Sequence, residues 1–199
     1  MRYMLIVLFS YNVFGSVVCQ FLHFKNGINL DIERVERAYN LAKKAHKNQK
    51  RKFEKQPYIV HPERVAQKVL IYSGSEEMVI AAILHDVVED SNITIQVIKN
   101  EFGPEVSRLV SELTNNQRAI KKIGKTKYLI KKLNEISEEA FLIKLLDRKD
   151  NLSDIHLAKS EFRKKYIDST RDILSGIKRD LNDTQKEIIE EIKITLNSI

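Results

Sequence analysis

From Asp31 onward, apolar residues recur at intervals of three and four, the period of helices that each bury one stripe. Asp31 is placed to cap "IERVERAYNLAKKAHKNQ", in which Ile32, Val35, Tyr39, Ala42 and Ala45 form the inward stripe. Pro62 suits the first turn of a second helix with Val65, Ala66, Val69 and Leu70 on its inner face. Ser73, Gly74 and Ser75 stop that helix and start a third. Gly103 and Pro104 separate two further helices, the second facing inward through Val106, Leu109, Val110 and Leu113. The basic, weakly patterned stretch from Arg118 to Lys127 predicts a mobile segment. "EEAFLIKLLDRKDNLSDI" then predicts a deeply buried helix, and two amphipathic helices close the chain, the last opened by a capping box of Thr184 and Glu187. No stretch alternates with period two for long enough to argue a sheet. The expected fold is all-α, a multi-helix bundle.

The third helix departs from this amphipathic rule. Met78 to Val88 is apolar almost all round, which places it at the centre of the bundle. Yet "ILHDVVED", residues 83–90, sets His85, Asp86, Glu89 and Asp90 into that run. On a continuous helix His85 and Asp86 point about 100° apart, and Glu89 and Asp90 stack over them one turn later, making one polar notch. A lone ionised carboxylate in such a place costs roughly several kcal/mol, comparable with the whole stability margin of a domain. A divalent cation would offset that cost. Mixed imidazole and carboxylate donors suit Mn2+, Fe2+ or Zn2+ better than Ca2+. Two other segments supply further ligands: "PYIVHP" aims His61 from the start of a helix, and "KLLDRKDNL" carries Asp147 on the other very apolar helix. His61, His85, Asp86 and Asp147 together make a shell of two imidazoles and two carboxylates with room for water.

Composition narrows the picture further. The chain has 199 residues, 43% of them hydrophobic, with 3 Pro and 6 Gly and no linker-like tract, which argues one domain over residues 30–199. The lone Cys19 cannot form an internal disulfide and fits a reducing compartment. A net charge of +7 suggests an anionic partner without choosing its class. Residues 1–25 stand apart as an apolar segment, with Arg2 before a run from Met4 to Val18 broken by Ser10, Tyr11 and Asn12. It is short for a membrane span, and Val18 before Cys19 makes a poor cleavage or lipidation site. Signal, anchor and misassigned start remain open readings of it.

The order His61, then the His85-Asp86 pair, then Asp147 resembles the HD superfamily of metal-dependent phosphohydrolases. Within it, "AHKNQKRKFEKQPYIVHPERVA", "ILHDVVED" and "KLLDRKDNL" resemble the hydrolase domain of the RelA/SpoT alarmone enzymes, in order from about Ala38 to Ile155. The resemblance implies a Mn2+-dependent enzyme that removes pyrophosphate from the 3′ position of (p)ppGpp, leaving GDP or GTP. No segment here matches a synthetase or regulatory domain, so a stand-alone small alarmone hydrolase is expected. It also implies His61, His85, Asp86 and Asp147 as metal ligands, and Glu89 and Asp90 as the acidic pair that positions and activates water. Arg51, Lys52, Asn151 and Tyr166 are implied as substrate-binding residues. The implied partner is a small nucleotide rather than nucleic acid or membrane, and the implied location is cytoplasmic. The sequence leaves the oligomeric state open.

This sequence departs from the family pattern in two places. "FEKQ" follows Arg51-Lys52 where a small or glycine-containing turn is usual, and the common Thr-Asp-Asp reads Thr114, Asn115, Asn116. Both bear on the substrate pocket rather than the metal centre. Two rival readings remain: an HD phosphohydrolase acting on another nucleotide, such as NADPH or a dNTP, and a catalytically silent nucleotide-binding protein. His46 is read as a packing or supporting residue, and His23 and His156 receive no role.

Overall fold

A computed structural model describes residues 30–199; residues 1–25 and His23, with the readings made of them, lie outside the described residues. Helix α1 (Ile32–Ala45) is capped by the Asp31 side chain, which accepts from the Arg34 amide. Its buried residues are Val35, Ala38 and Ala42, while Ile32, Tyr39 and Ala45 lie half-buried at the edge of the stripe. Helix α2 (Val60–Ile71) buries Val65, Ala66, Val69 and Leu70 as its pattern predicts, and Ser75 caps α3 (Glu76–Leu84). Every residue of α3 from Met78 to Leu84 is buried, because α1, α2, α5 and α8 all pack around it. Truncating a large side chain here, as in Leu84→Ala, leaves a cavity worth about 2–5 kcal/mol.

The central helix does not run on through the motif. It stops at Leu84, and a separate short helix α4 (Val87–Asp90) begins after Asp86, whose backbone sits at φ −102°, ψ −8°. The four polar residues of "ILHDVVED" therefore lie on either side of a break rather than along one helical face. Helix α5 (Ile95–Leu113) bends at Gly103, where φ is +86° and ψ 175°, so it is two helical segments joined at the position that Gly103 and Pro104 predict.

The basic stretch from Arg118 to Lys127 is helical but for Gly124. Asn116 caps α6 (Gln117–Ile123), and α7 (Lys125–Glu135) follows across Gly124. Helix α6 buries none of its residues; α7 is held by Leu129 and Leu133, and packs on α9. Ser137 caps α8 (Glu138–Ser153), the second deeply buried helix, and α9 (Ser160–Ser175) and α10 (Asp183–Ser198) close the chain. The capping box of α10 is made by Asn182 and Gln185, not Thr184 and Glu187. Among the described residues there is no strand, and no helix is long and apolar enough to cross a membrane.

Candidate metal centre and its cavity

His61 enters from the first turn of α2, His85 and Asp86 from the break after α3, and Asp147 from the middle of α8. Three chain segments thus meet where the sequence placed polar groups among apolar ones. His61 Nε2 lies 3.2 Å from Asp147 Oδ1 and 3.9 Å from Asp86 Oδ2. His85 Nε2 lies 3.0 Å from Asp86 Oδ2 and 3.9 Å from Asp147 Oδ1. One ligand atom from each of His61, His85 and Asp86 falls within 4.8 Å of the others.

Hydrogen bonds on the far side of each ring fix its useful nitrogen. His61 Nδ1 is 2.7 Å from Asp150 Oδ2, and His85 Nδ1 is 2.8 Å from the Ala82 carbonyl. Both partners accept, so each Nδ1 donates and each Nε2 carries the lone pair when the ring is neutral. His85 is fully buried, and its Nε2 has no hydrogen-bond partner among the described residues. Burial disfavours a charged His85, but Asp86 and Asp147 outweigh it and raise its pKa to about 9. Burial also opposes ionisation of Asp86 and Asp147, yet His85 beside the first and Lys144 beside the second keep both below the usual carboxylate range. The cluster draws positive charge to the point that both Nε2 atoms face. Two imidazole nitrogens and two carboxylates around that point fit a divalent transition metal.

A further layer holds the carboxylates. Tyr58 Oη donates to Asp86 Oδ2 at 2.6 Å, and burial together with Asp86 raises the Tyr58 pKa, keeping the hydroxyl protonated. Asn151 Nδ2 donates to Asp147 Oδ1 at 2.5 Å, and Lys144 Nζ lies 3.5 Å from Asp147 Oδ2. Asp150, which sequence reasoning did not single out, is fully buried and also takes Lys68 Nζ at 2.6 Å and Arg64 Nε at 3.1 Å. Burial would raise its pKa, but the His61 and Lys68 contacts win and bring it to about 2.

Of the acidic pair, Glu89 is half-buried and accepts from Asn115, while Asp90 is exposed. Burial and the neighbouring Asp86 push the Asp90 carboxyl up. Arg51 is 5% exposed and turned inward, donating to Asn151 Oδ1 at 3.0 Å and Asp154 Oδ2 at 3.1 Å. Lys52 is exposed and sits 3.8 Å above the Phe162 ring, which stacks on Tyr166. Asp147, Asn151 and Tyr166 line a cavity of about 200 Å³ with Asn115, Lys125, Lys144 and Arg148. Three cations on that wall suit an anionic ligand. His46 packs against Tyr58 with ring centroids 4.8 Å apart and bonds Gln49 through Nδ1, consistent with a supporting role.

An all-helical bundle with this His, His-Asp, Asp convergence is the arrangement of HD-domain proteins. Residues 38–181 match the HD domain family, and the chain belongs to it. It is 32% identical over 170 residues to the guanosine-3′,5′-bis(diphosphate) 3′-pyrophosphohydrolase MESH1 of Mus musculus, covering 80% of this chain and 94% of that protein. It is 36% identical over 154 residues to the guanosine-3′,5′-bis(diphosphate) 3′-pyrophosphohydrolase of Aquifex aeolicus (strain VF5), covering 73% of this chain but 21% of that much longer protein. Among solved structures, a metazoan orthologue of SpoT that hydrolyses ppGpp superposes with a TM-score of 0.73 at 27% identity, covering 83% of this chain and 97% of the other.

Proposed function

We propose that residues 30–199 form an HD phosphohydrolase domain that removes pyrophosphate from the 3′ position of (p)ppGpp, giving GDP or GTP. The observation that carries the reading is the convergence of His61, His85, Asp86 and Asp147, with both Nε2 atoms turned toward the two carboxylates. Near-complete overlap with short relatives named for this reaction supports the substrate.

His61, His85, Asp86 and Asp147 would hold a divalent transition cation, for which the mixed donor set suits Mn2+, Fe2+ or Zn2+, and we take Mn2+ as the working ion. When bound, such an ion acidifies water and neutralises charge growing on the phosphoryl oxygens. Glu89 and Asp90 orient the attacking water and take its proton. Water attacks the phosphorus attached to the 3′ oxygen, the phosphorus–oxygen bond breaks, and the ribose oxygen leaves with a proton. Asn151 keeps Asp147 in place while facing the nucleotide, Arg51 holds Asn151, and Lys52 and Tyr166 receive the rest of the substrate. Lys125, Lys144 and Arg148 offset phosphate charge along the cavity wall. A cytosolic nucleotide as substrate, together with the lone Cys19, supports a cytoplasmic location.

The test is a panel of ppGpp, pppGpp, NADPH and dNTPs with Mn2+. Pyrophosphate release from the two alarmones, stopped by EDTA, is the expected result; turnover confined to NADPH or a dNTP moves the substrate elsewhere. Asp86→Ala should lose both turnover and metal, whereas retained nucleotide binding without any wild-type turnover would mark a silent binder.

A further inference from the structure

Glu89 is held from one side by the strand of chain that leaves α5. Thr114 has extended backbone (φ −64°, ψ 129°), so the residues after it swing across the end of α4. There the Asn115 amide donates to Glu89 Oε1 at 2.7 Å, and Asn115 Nδ2 donates to Oε2 at 3.3 Å. Gln117 Nε2 reaches the same Oε2 at 3.4 Å. A carboxylate offers about four lone-pair sites, so these three contacts leave about one for water.

The other end of the Asn115 carboxamide faces Lys132. Its Nζ lies 3.4 Å from Asn115 Oδ1 and also donates to the Leu113 and Thr114 carbonyls at 3.0 and 2.6 Å. Three acceptors match the three donors of an ammonium. Lys132 is 8% exposed, an unusual place for a lysine, and it sits at the negative end of the α5 dipole. With Lys132 Nζ donating to Oδ1, the amide nitrogen is left toward Glu89; the flipped amide would lose that contact and set oxygen against carboxylate. An aspartate at this position, the residue the family pattern carries, would satisfy Lys132 but repel Glu89.

We infer that Asn115 and Lys132 act together as positioning residues that fix the Glu89 carboxylate toward the reacting water. The inference rests on the proposed hydrolase reading.

Two measurements test it. In kinetics with Mn2+ and ppGpp, Asn115→Asp and Lys132→Met should each lower kcat by about tenfold; for Lys132→Met, which lies outside the cavity lining, KM and Mn2+ affinity should stay within about twofold. In a Glu89→Gln background the Asn115→Asp loss should shrink to about twofold or less, because the effect runs through Glu89. An equal loss in both backgrounds, or an unchanged kcat, overturns the inference. In 15N-labelled protein, Glu89→Gln should move the Asn115 backbone and side-chain amide signals, and Lys132→Met should move the side-chain pair; signals that ignore both substitutions overturn it as well. Should wild type turn over none of the nucleotides, the proposed function fails, and the amide signals judge the positioning contacts alone.

Discussion

His61 Nδ1 lies 2.7 Å from Asp150 Oδ2, one helical turn along α8 from Asp147, whose Oδ1 is 3.2 Å from the other nitrogen of the same ring. A single helix thus grips both sides of one imidazole. Asp150→Asn replaces the charged acceptor of His61 Nδ1 with a weaker neutral one, and losses of this kind weaken metal binding by about 10–100-fold. Calorimetric titration with Mn2+ should show that drop. Affinity within about twofold of wild type would mean that packing, not Asp150, sets the ring.

Tyr58 does a comparable job for Asp86 through one hydrogen bond of 2.6 Å, and its ring rests between His46 and His61. Tyr58→Phe keeps the ring and deletes the bond. A hydrogen bond to a charged group is worth about 1.5–3 kcal/mol, so if the bond serves mainly to orient Asp86 for the metal, Mn2+ affinity should fall about 10- to 100-fold. A large loss of stability with unaltered affinity would reassign Tyr58 to packing.

The four metal-facing residues were legible because each interrupts an apolar run, where an unpaired polar group is costly. Asp150 was not, since in "DRKDNL" it stands among other charges and nothing in the spacing tells an inward acid from an outward one. The break at His85 and Asp86 has no Gly or Pro to announce it, and the apolar run continues past it to Val88. Helix α6 escaped notice because it is short, basic and buries no residue, whereas α7 keeps an apolar stripe at Leu129 and Leu133 that the basic residues around it obscure. At α10, "NDTQKE" offers two capping registers. The Asn182 register prevails, and in it Gln185 also donates to Glu138 at 2.5 Å, tying the helix to the start of α8.

The bend in α5 depends on Gly103, whose φ of +86° and ψ of 175° lie in a region essentially closed to other residues. Gly103→Ala should cost about 1–3 kcal/mol of folding free energy. The bend lies outside the cavity lining, so Mn2+ affinity and kcat should hold. Urea unfolding measures the first and kinetics the second; an unchanged unfolding midpoint would show that α5 can straighten freely.

Lys132 also leaves a signature in stability. Burial lowers its pKa from the ordinary 10.5 to about 7, aided by Lys144 and opposed by Glu89 and Glu112. Between those two pH values the unfolded chain binds one more proton than the folded chain, so stability rises with pH across the window. The penalty for the buried ammonium is fully present below the folded pKa and is relieved as pH climbs toward the unfolded one. In Lys132→Met no such group titrates. The unfolding free energy of wild type relative to that variant should therefore shift in favour of wild type from pH 7 to pH 9, by up to about 1.4 kcal/mol per pH unit. Denaturant curves for both proteins across that range decide the matter: parallel pH dependences would mean that the lysine keeps its proton in the fold, held by the Leu113, Thr114 and Asn115 oxygens.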